Sequence, residues 1–183
     1  MKRTFMSTCV AILLGGGGHA IAGETGDRAG DPLHSEMEIA RLPVSYAWAV
    51  DGKNIDEIMD LFADDAVYDL SAYGYANVVG TTAIRELFIR SVFSAEQCSF
   101  SSISNVRVKI QGSRATGSDY FVHIGYNDRK LGESTRHYVE GQHFYEFVRL
   151  AGRWKISRMV GRPTFQAVEK FAPESLMHCG QRS

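Results

Sequence analysis

The spacing of the hydrophobic residues changes near the middle of this 183-residue chain. Up to about residue 95 the apolar positions recur every three to four residues, as on the buried face of a helix. From Cys98 onwards they alternate with polar residues, most clearly at Val106, Val108 and Ile110, as in strands with one buried face. Helices followed by a run of antiparallel strands predict an α+β fold.

Three helices are predicted in the first half of the chain. Ser35 begins a capping-box pattern, so the first helix is expected to start there and to end at Gly52. Asn54 and one of the threonines at 81–82 are expected to cap the second and third helices. All three helices therefore precede the main strands.

The strands are expected to form a curved sheet. Five segments have strand character, at 66–70, 98–110, 114–126, 136–150 and 153–163. Such a sheet has to curl around the helices to bury their apolar faces. The expected architecture is a cone-shaped barrel, with three N-terminal helices packed on a curved, mainly antiparallel sheet. Its interior would be a cavity, where small-molecule sites usually form.

The N-terminus has the pattern of a secretory signal peptide. Lys2 and Arg3 precede an apolar run at 5–14, and the small residues at 20–22 form a cleavage site. This pattern predicts a secreted or periplasmic protein. The alternative is that translation starts at Met37, where the first helix opens.

The remaining chain is expected to hold one domain. Residues 1–22 are assigned to the signal peptide, 23–34 to a disordered leader, 35–166 to the domain and 167–183 to a C-terminal tail. The formal net charge of the whole chain is -1, so neither nucleic acid nor an anionic membrane is expected as a partner. The apolar run in the signal is too short to span a bilayer.

Two cysteines, Cys98 and Cys179, follow the predicted cleavage site. An oxidising compartment would permit them to form a disulfide, and two unrelated thiols are the equal alternative. The sequence has no Cys-x-x-Cys or His-Glu-x-x-His pattern, so no metal site and no cofactor is predicted.

Several short motifs follow one another between residues 36 and 165. They are Tyr46 to Asp51 with Asn54-Ile-Asp, Leu61-Phe-Ala-Asp-Asp-Ala66, Gly80 with Ile84, and Gly152-Arg-Trp-Lys-Ile156. In this order they resemble the SnoaL-like group of the nuclear-transport-factor-2-like superfamily, whose fold is an α+β cone. That superfamily contains dehydratases, isomerases, cyclases, epoxide hydrolases, dehydrochlorinases and non-catalytic subunits. The resemblance therefore implies a fold and leaves the activity to the pocket residues.

The resemblance also implies part of a catalytic site. In dehydratase-like members a tyrosine and an aspartate at the end of the first helix work with a histidine from the sheet, and Tyr46 and Asp51 match the first two. The histidine position, four residues before Asn105, is occupied by Ser101. A substitute histidine has to come from elsewhere on the sheet.

The residues themselves leave two interpretations for each candidate. Asp51 is either a solvated residue at the end of a helix or a carboxylate that acts as a base in an apolar cone. His123 and His143 lie in strands beside apolar neighbours and either line the cavity or are packed in the core. Tyr46 is either a donor to a developing oxyanion or a core tyrosine.

The remaining candidates concern substrate binding. Trp48, Phe121 and Tyr145 belong to an aromatic supply that suits a flat apolar ligand, with the core as the alternative. Arg162 would anchor an oxygen if it points inward, and would be solvated if it points outward.

The predicted function is a cofactor-independent lyase that acts on a small hydrophobic, aromatic or polycyclic, hydroxylated compound. Asp51 and a histidine would supply the acid-base chemistry, either for dehydration or for elimination of formaldehyde. The alternatives are an isomerase that shuttles a proton and a non-catalytic protein that binds a small molecule. The fold family also implies a homo-oligomer, since its open sheet face is commonly covered by a partner.

Overall fold

The computed structural model describes residues 31–127 and 134–171. The predicted signal peptide, the end of the predicted tail and Cys179 lie outside these residues. Within these residues two helices come first, α1 (Pro32–Asp51) and α2 (Ile55–Leu61). After two short strands the chain forms α3 (Thr81–Leu87), which continues through a wider turn at Phe88–Val92 into α4 (Phe93–Ala95). The three predicted helices are confirmed.

The first helix begins earlier than predicted. Its N-cap is Asp31, whose carboxylate accepts a hydrogen bond from the backbone N–H of Leu33 at 3.1 Å. Pro32 occupies the first turn, where a missing N–H costs nothing. Ser35 is buried inside the helix and does not begin it. The prediction had assigned Asp31 and Pro32, where the helix starts, to the disordered leader at 23–34.

In the described part of the chain, six strands form one sheet. They are β1 (Phe62–Asp69), β2 (Val78–Val79), β3 (Cys98–Gln111), β4 (Arg114–Asn127), β5 (Ser134–Leu150) and β6 (Arg153–Phe171). Their order is β2-β1-β6-β5-β4-β3, and only the β1–β6 pair is parallel. The mainly antiparallel sheet of the prediction is confirmed, although it curves without closing into a barrel. The last strand also continues to Phe171, beyond the predicted end at 163.

Irregularities in strand pairing help to bend the long strands around the helices. The register shifts between Ser104 and Arg107 of β3, and twice in the β5–β6 pairing, at Glu140/Gly141 and Glu146/Phe147. Such bulges increase local twist and curvature. The concave face and the helices bury one apolar core, which includes Ile39, Ile58, Phe62, Ile84, Phe88, Phe147, Ile156 and Met159. Of the helices in the described part of the chain, none is long and apolar enough to cross a membrane.

Candidate active site

A cavity of about 540 Å³ lies between the helices and the sheet. Its wall is mostly apolar, with side chains such as Val50, Leu87, Phe88, Ile103 and Val139. The lining side chains with polar contacts inside the site are Tyr46, Tyr68, Glu96, Ser101, His123 and His143. An apolar cleft with a few convergent polar groups is typical of a small-molecule site.

Asp51, at the end of α1, is held by three hydrogen bonds. Its Oδ1 accepts from Ser99 Oγ at 2.7 Å and from Ser101 Oγ at 2.8 Å, and its Oδ2 accepts from the Ser101 backbone N–H at 2.6 Å. A carboxylate at a helix C-terminus faces the unfavourable end of the helix dipole, and these donors offset that cost. Asp51 itself does not line the cavity, whereas Ser101 does.

Ser101 connects Asp51 to a second carboxylate through a histidine. Ser101 Oγ lies 2.9 Å from His123 Nδ1, and His123 Nε2 lies 3.1 and 3.0 Å from the two carboxylate oxygens of Glu96. The side chains of His123 and Glu96 are 21% and 14% exposed, so the pair is largely shielded from water. The result is a continuous chain of contacts from Asp51 to Glu96.

Counting hydrogens defines the protonation that satisfies this chain. The Ser101 hydroxyl has one hydrogen, and if it donates to Asp51, then His123 Nδ1–H has to donate to Ser101. The Nε2···Glu96 contact then also needs a hydrogen, held either by the imidazole or by the carboxyl. While Asp51 is ionised, every contact is satisfied when His123 and Glu96 share one proton beyond a neutral imidazole and an ionised carboxylate.

A second histidine is held by a buried aspartate. Asp119 on β4 pairs directly with His143 on β5, and its Oδ1 lies 3.0 Å from His143 Nδ1. Its other oxygen accepts a hydrogen bond from Tyr145 Oη at 2.8 Å. Burial, reinforced by the Asp119 charge, raises the pKa of Tyr145 well above its ordinary value, so this phenol stays a donor. Phe121 stacks on the imidazole, with ring centroids 4.1 Å apart.

This arrangement fixes the tautomer of His143. An ionised Asp119 can only accept, so the neutral imidazole carries its proton on Nδ1. Its Nε2 has no protein partner among the described residues and belongs to a side chain that lines the cavity. A lone pair is therefore available to a ligand.

Two tyrosines form a hydroxyl pair in the same cavity. Tyr46 Oη lies 3.1 Å from Tyr68 Oη, and the Tyr46 ring packs edge-on against His143 at 6.3 Å. Burial raises the pKa of both phenols, so both keep their protons. One hydroxyl donates to the other, which leaves the second proton for an oxygen atom of a ligand.

Within residues 31–127 and 134–171, no three His, Cys, Asp or Glu side chains lie close enough together to hold a metal ion. Cys98, the first residue of β3, is disulfide-bonded. Cys179, its proposed partner, lies outside the described residues.

The model of the SnoaL-like domain family matches residues 31–160, which is well over half of the chain. The chain belongs to the SnoaL-like domain family. No curated protein is significantly similar to this SnoaL-like protein.

Solved structures share the fold of this SnoaL-like protein. A proposed aromatic ring hydroxylase from Novosphingobium aromaticivorans is 29% identical with a TM-score of 0.65, covering 77% of this chain and 96% of that chain. The hexachlorocyclohexane dehydrochlorinase LinA-type3 from Novosphingobium barchaimii is 17% identical with a TM-score of 0.64, covering 75% and 93%. A proposed scytalone dehydratase from Novosphingobium aromaticivorans is 19% identical with a TM-score of 0.62, covering 72% and 85%. At the last two identities the likeness shows the fold alone.

The SnoaL-like site brings most of the predicted residues together. Tyr46, Phe121, His123 and His143 line the cavity. Asp51 stands behind the wall and reaches it through Ser101.

Three predicted binding residues lie elsewhere. The Trp48 side chain is 75% exposed, because the helix turns it away from the face that carries Tyr46 and Val50. Arg162 lies with its guanidinium 4.7 Å from the ring of Phe144, outside the cavity lining. Tyr145 is buried against Asp119 and borders a separate depression of about 420 Å³.

Three polar residues of the SnoaL-like site were missed from the sequence. Asp119 shares strand parity with Phe121 and His123, and this inward parity could have identified it. Tyr68 lies within the strand predicted at 66–70, which is too short for its pattern to indicate the buried face. Glu96 follows the last helical turn, where nothing in the local pattern indicates that it reaches His123 on another strand.

Proposed function

We propose that this protein is a cofactor-independent lyase that acts on a small hydrophobic, aromatic or polycyclic, hydroxylated compound. The reaction would be loss of water or of formaldehyde by acid-base chemistry. The observation that carries the proposal is that two histidines, each held by a carboxylate, line one apolar cavity. Shared fold with a dehydrochlorinase and a proposed dehydratase supports a lyase.

His143 is the proposed base. Asp119 holds its Nδ1–H and would stabilise the imidazolium that forms when Nε2 takes a proton from carbon. The stacked Phe121 ring and the buried Asp119 fix the orientation of the imidazole. A positioned base of this kind contributes roughly 100- to 10,000-fold to a proton transfer.

The His123–Glu96 pair is the proposed acid. Its shared proton can pass to a leaving hydroxyl, which then departs as water. In a dehydration one proton moves from carbon to His143 and one from the pair to the hydroxyl, and a carbon-carbon double bond forms. Asp51, which the sequence suggested as the base, supports this acid through Ser101.

Isomerisation is the second candidate, and the tyrosine pair favours it. A single base and a donor to an enolate oxygen suffice for moving a proton along a substrate. His143 would be that base and the Tyr46–Tyr68 pair would supply the donor. The two candidates differ in whether the product loses mass.

The test is a screen of the purified chain against hydroxylated aromatic, steroid and polyketide-like compounds, with thermal shift and product mass as readouts. A compound that stabilises the protein and loses the mass of water or formaldehyde supports the lyase. Product rearranged at unchanged mass supports the isomerase, and stabilisation with unchanged compound supports a binding protein. His143→Gln should abolish turnover, whereas His34→Gln, on the exposed start of α1, should not.

We also propose export to an oxidising compartment. The disulfide at Cys98 supports it, because disulfides persist in secreted and periplasmic proteins. Fractionation of cells that express the full chain tests this, and recovery of the uncleaved chain in the cytosol would contradict it.

A second copy of this chain is the proposed partner. Phe100 and Tyr120 alternate with inward-facing neighbours, so both lie on the outer face of the sheet, and both are about half exposed or more. Neither nucleic acid nor membrane is proposed as a partner. Analytical ultracentrifugation tests self-association, and a monomeric mass at micromolar concentration would contradict it.

A further inference from the structure

The hydrogen-bonded series Asp51–Ser101–His123–Glu96 has a carboxylate at each end. Of these two carboxylates, Glu96 lines the cavity and Asp51 does not. Asp51 has three donors on its two oxygens and is separated from the cavity by Ser101. The carboxylate of Glu96 contacts only His123 Nε2 among the described residues. Glu96 is therefore the group at this end of the chain that a ligand can reach.

The fold provides a dedicated space for the Glu96 side chain. Gly125 on β4 lies beneath it, and a Cβ at that position would stand 2.0 Å from Oε1 and 2.1 Å from Cδ of Glu96. The backbone of the same segment is fixed from the turn that follows α1, since Lys53 Nζ donates to the carbonyl oxygens of Phe93 and Glu96. Both features hold the carboxylate against His123.

The Asp51 end of these contacts is reached from outside the cavity. Asp51 is of intermediate exposure at the end of α1 and does not line the cavity, so a ligand in the cavity does not cover it. The contacts between the two ends measure 2.8, 2.9 and 3.0 Å, each within hydrogen-bond range. A proton can pass along such contacts by a change of donor at each step.

We propose that Glu96 is the catalytic acid of this site and that Asp51, Ser101 and His123 form a relay that returns its proton from solvent. This inference rests on the proposed lyase function and assigns the residue that touches the leaving oxygen. Asp51 is then a positioning and relay residue.

The proton balance of the relay closes. Glu96 gives its proton to the leaving hydroxyl, which leaves a carboxylate beside a neutral His123 whose proton is on Nδ1. The imidazole then changes tautomer: it loses that proton to solvent and gains one on Nε2, which donates to Glu96. The Ser101 hydroxyl turns to donate to Nδ1, and Asp51 takes a proton from solvent. Transfer of that proton through Ser101 and His123 restores the starting arrangement, with no net change in the protein.

The first test needs no substrate. Imidazole nitrogen signals of His123 are recorded by ¹⁵N NMR in wild type, Asp51→Asn, Ser101→Ala and the double variant. The relay predicts that Asp51→Asn changes the His123 Nδ1 signal in the wild-type background and has no effect when Ser101 is alanine. An equal effect in both backgrounds, or none in either, would overturn the relay.

The second test uses a compound that the screen finds to be turned over. Glu96→Gln should lose at least about 100-fold in kcat while the compound still stabilises the protein to the same extent. Ser101→Ala should also lose turnover, and added imidazole should restore it as an external proton donor. The same addition should not restore Glu96→Gln, and Ser101→Thr, which keeps the hydroxyl, should stay active.

Glu36→Gln is the matched control, since Glu36 is exposed on α1 away from the cavity. Wild-type kcat in Glu96→Gln, or no rescue of Ser101→Ala, would overturn the assignment. If the screen yields no turnover at all, the lyase proposal fails, and the NMR coupling still decides whether the relay exists.

Discussion

Ser101 and His123 face each other directly across β3 and β4, with Oγ 2.9 Å from Nδ1. His123 therefore lies beside the position at which the resemblance implies a histidine and this sequence has Ser101. The Ser101 hydroxyl bridges His123 to Asp51. A hydroxyl between the two keeps an aspartate-histidine connection that the sequence suggested was lost.

Replacing Gly125 with alanine should disable the site without removing any polar group. The added Cβ would overlap the far end of the Glu96 side chain, which is flexible and should swing away from His123. Turnover should fall nearly as far as in Glu96→Gln, by about 100-fold. Steady-state kinetics on the compound found by the screen provide the measurement.

The fold should tolerate this change, because alanine suits a strand at least as well as glycine does. Gly117→Ala is the contrasting variant, since its Cβ would lie 2.8 Å from the backbone oxygen of Arg107 and 2.9 Å from the Phe147 ring. Gly117→Ala should lower the melting temperature, and Gly125→Ala should leave it nearly unchanged. A fully active Gly125→Ala protein would argue against a role for Glu96.

Asp119→Asn, in the Asp119–His143 pair, should lower activity while leaving stability nearly unchanged. The amide keeps the shape of the buried side chain and can still accept from His143, but it cannot stabilise an imidazolium by charge. We expect kcat to fall by about 100-fold with ligand affinity preserved. Tyr145→Phe, which leaves one Asp119 oxygen without its donor, should instead cost about 1–3 kcal/mol of unfolding free energy. Equal kcat in wild type and Asp119→Asn would contradict the proposed base.

Much of the fold could be predicted because its signals are local. The change from helical to alternating hydrophobic spacing gave the helices, the strands and their order. The start of α1 was missed because Ser35 offered a capping pattern while the actual cap, Asp31, stood in a polar stretch. Local signals of equal quality competed there, and the one before a proline formed the cap.

The site could be predicted only in part, because its contacts join residues far apart in the chain. The sequence left His123 and His143 as residues that either line the cavity or are packed in the core, and nothing local indicated that Glu96 and Asp119 meet them. The exposure of Trp48 depends on which face of α1 packs on the sheet, and aromatic character alone does not decide that.

Trp48→Ala should have little effect, in contrast to what its aromatic character suggests. The side chain is exposed, so the unfolding free energy should change by no more than about 0.5 kcal/mol and ligand affinity should be unchanged. Phe121→Leu, which removes the ring stacked on His143, should weaken ligand binding. Isothermal titration of both variants with a compound from the screen checks this, and weaker binding by Trp48→Ala would return it to the site.

Asp69 should make part of the stability dependent on pH. Hydrogen bonds from the Ser71 hydroxyl and backbone N–H, followed by the Arg158 charge, lower the pKa of this carboxyl. The folded state then binds a proton less readily than the unfolded chain, so the contribution is fully present above the ordinary pKa of about 4 and is lost as the pH falls through the lowered value. Urea unfolding from about pH 6 to pH 2 should show the advantage of wild type over Asp69→Asn shrinking with acidity. A constant difference over that range would contradict this origin.

The hydrogen bond between the Tyr46 and Tyr68 hydroxyls should have a fixed donor. Burial raises the pKa of Tyr46 and of Tyr68, so both hydroxyls keep their protons, and either one can donate to the other. Tyr46 is buried whereas Tyr68 is of intermediate exposure, so we expect Tyr46 to donate to Tyr68 and the Tyr68 proton to meet an oxygen of the substrate. Tyr68→Phe should then lower kcat by about 100-fold, as loss of a direct oxyanion donor does. Tyr46→Phe removes only the supporting bond and should cost about 10-fold, because a donor with no partner behind it is less polarised. The two kcat values, measured on the same compound with folding checked by thermal melts, decide the direction; a larger loss in Tyr46→Phe would reverse it.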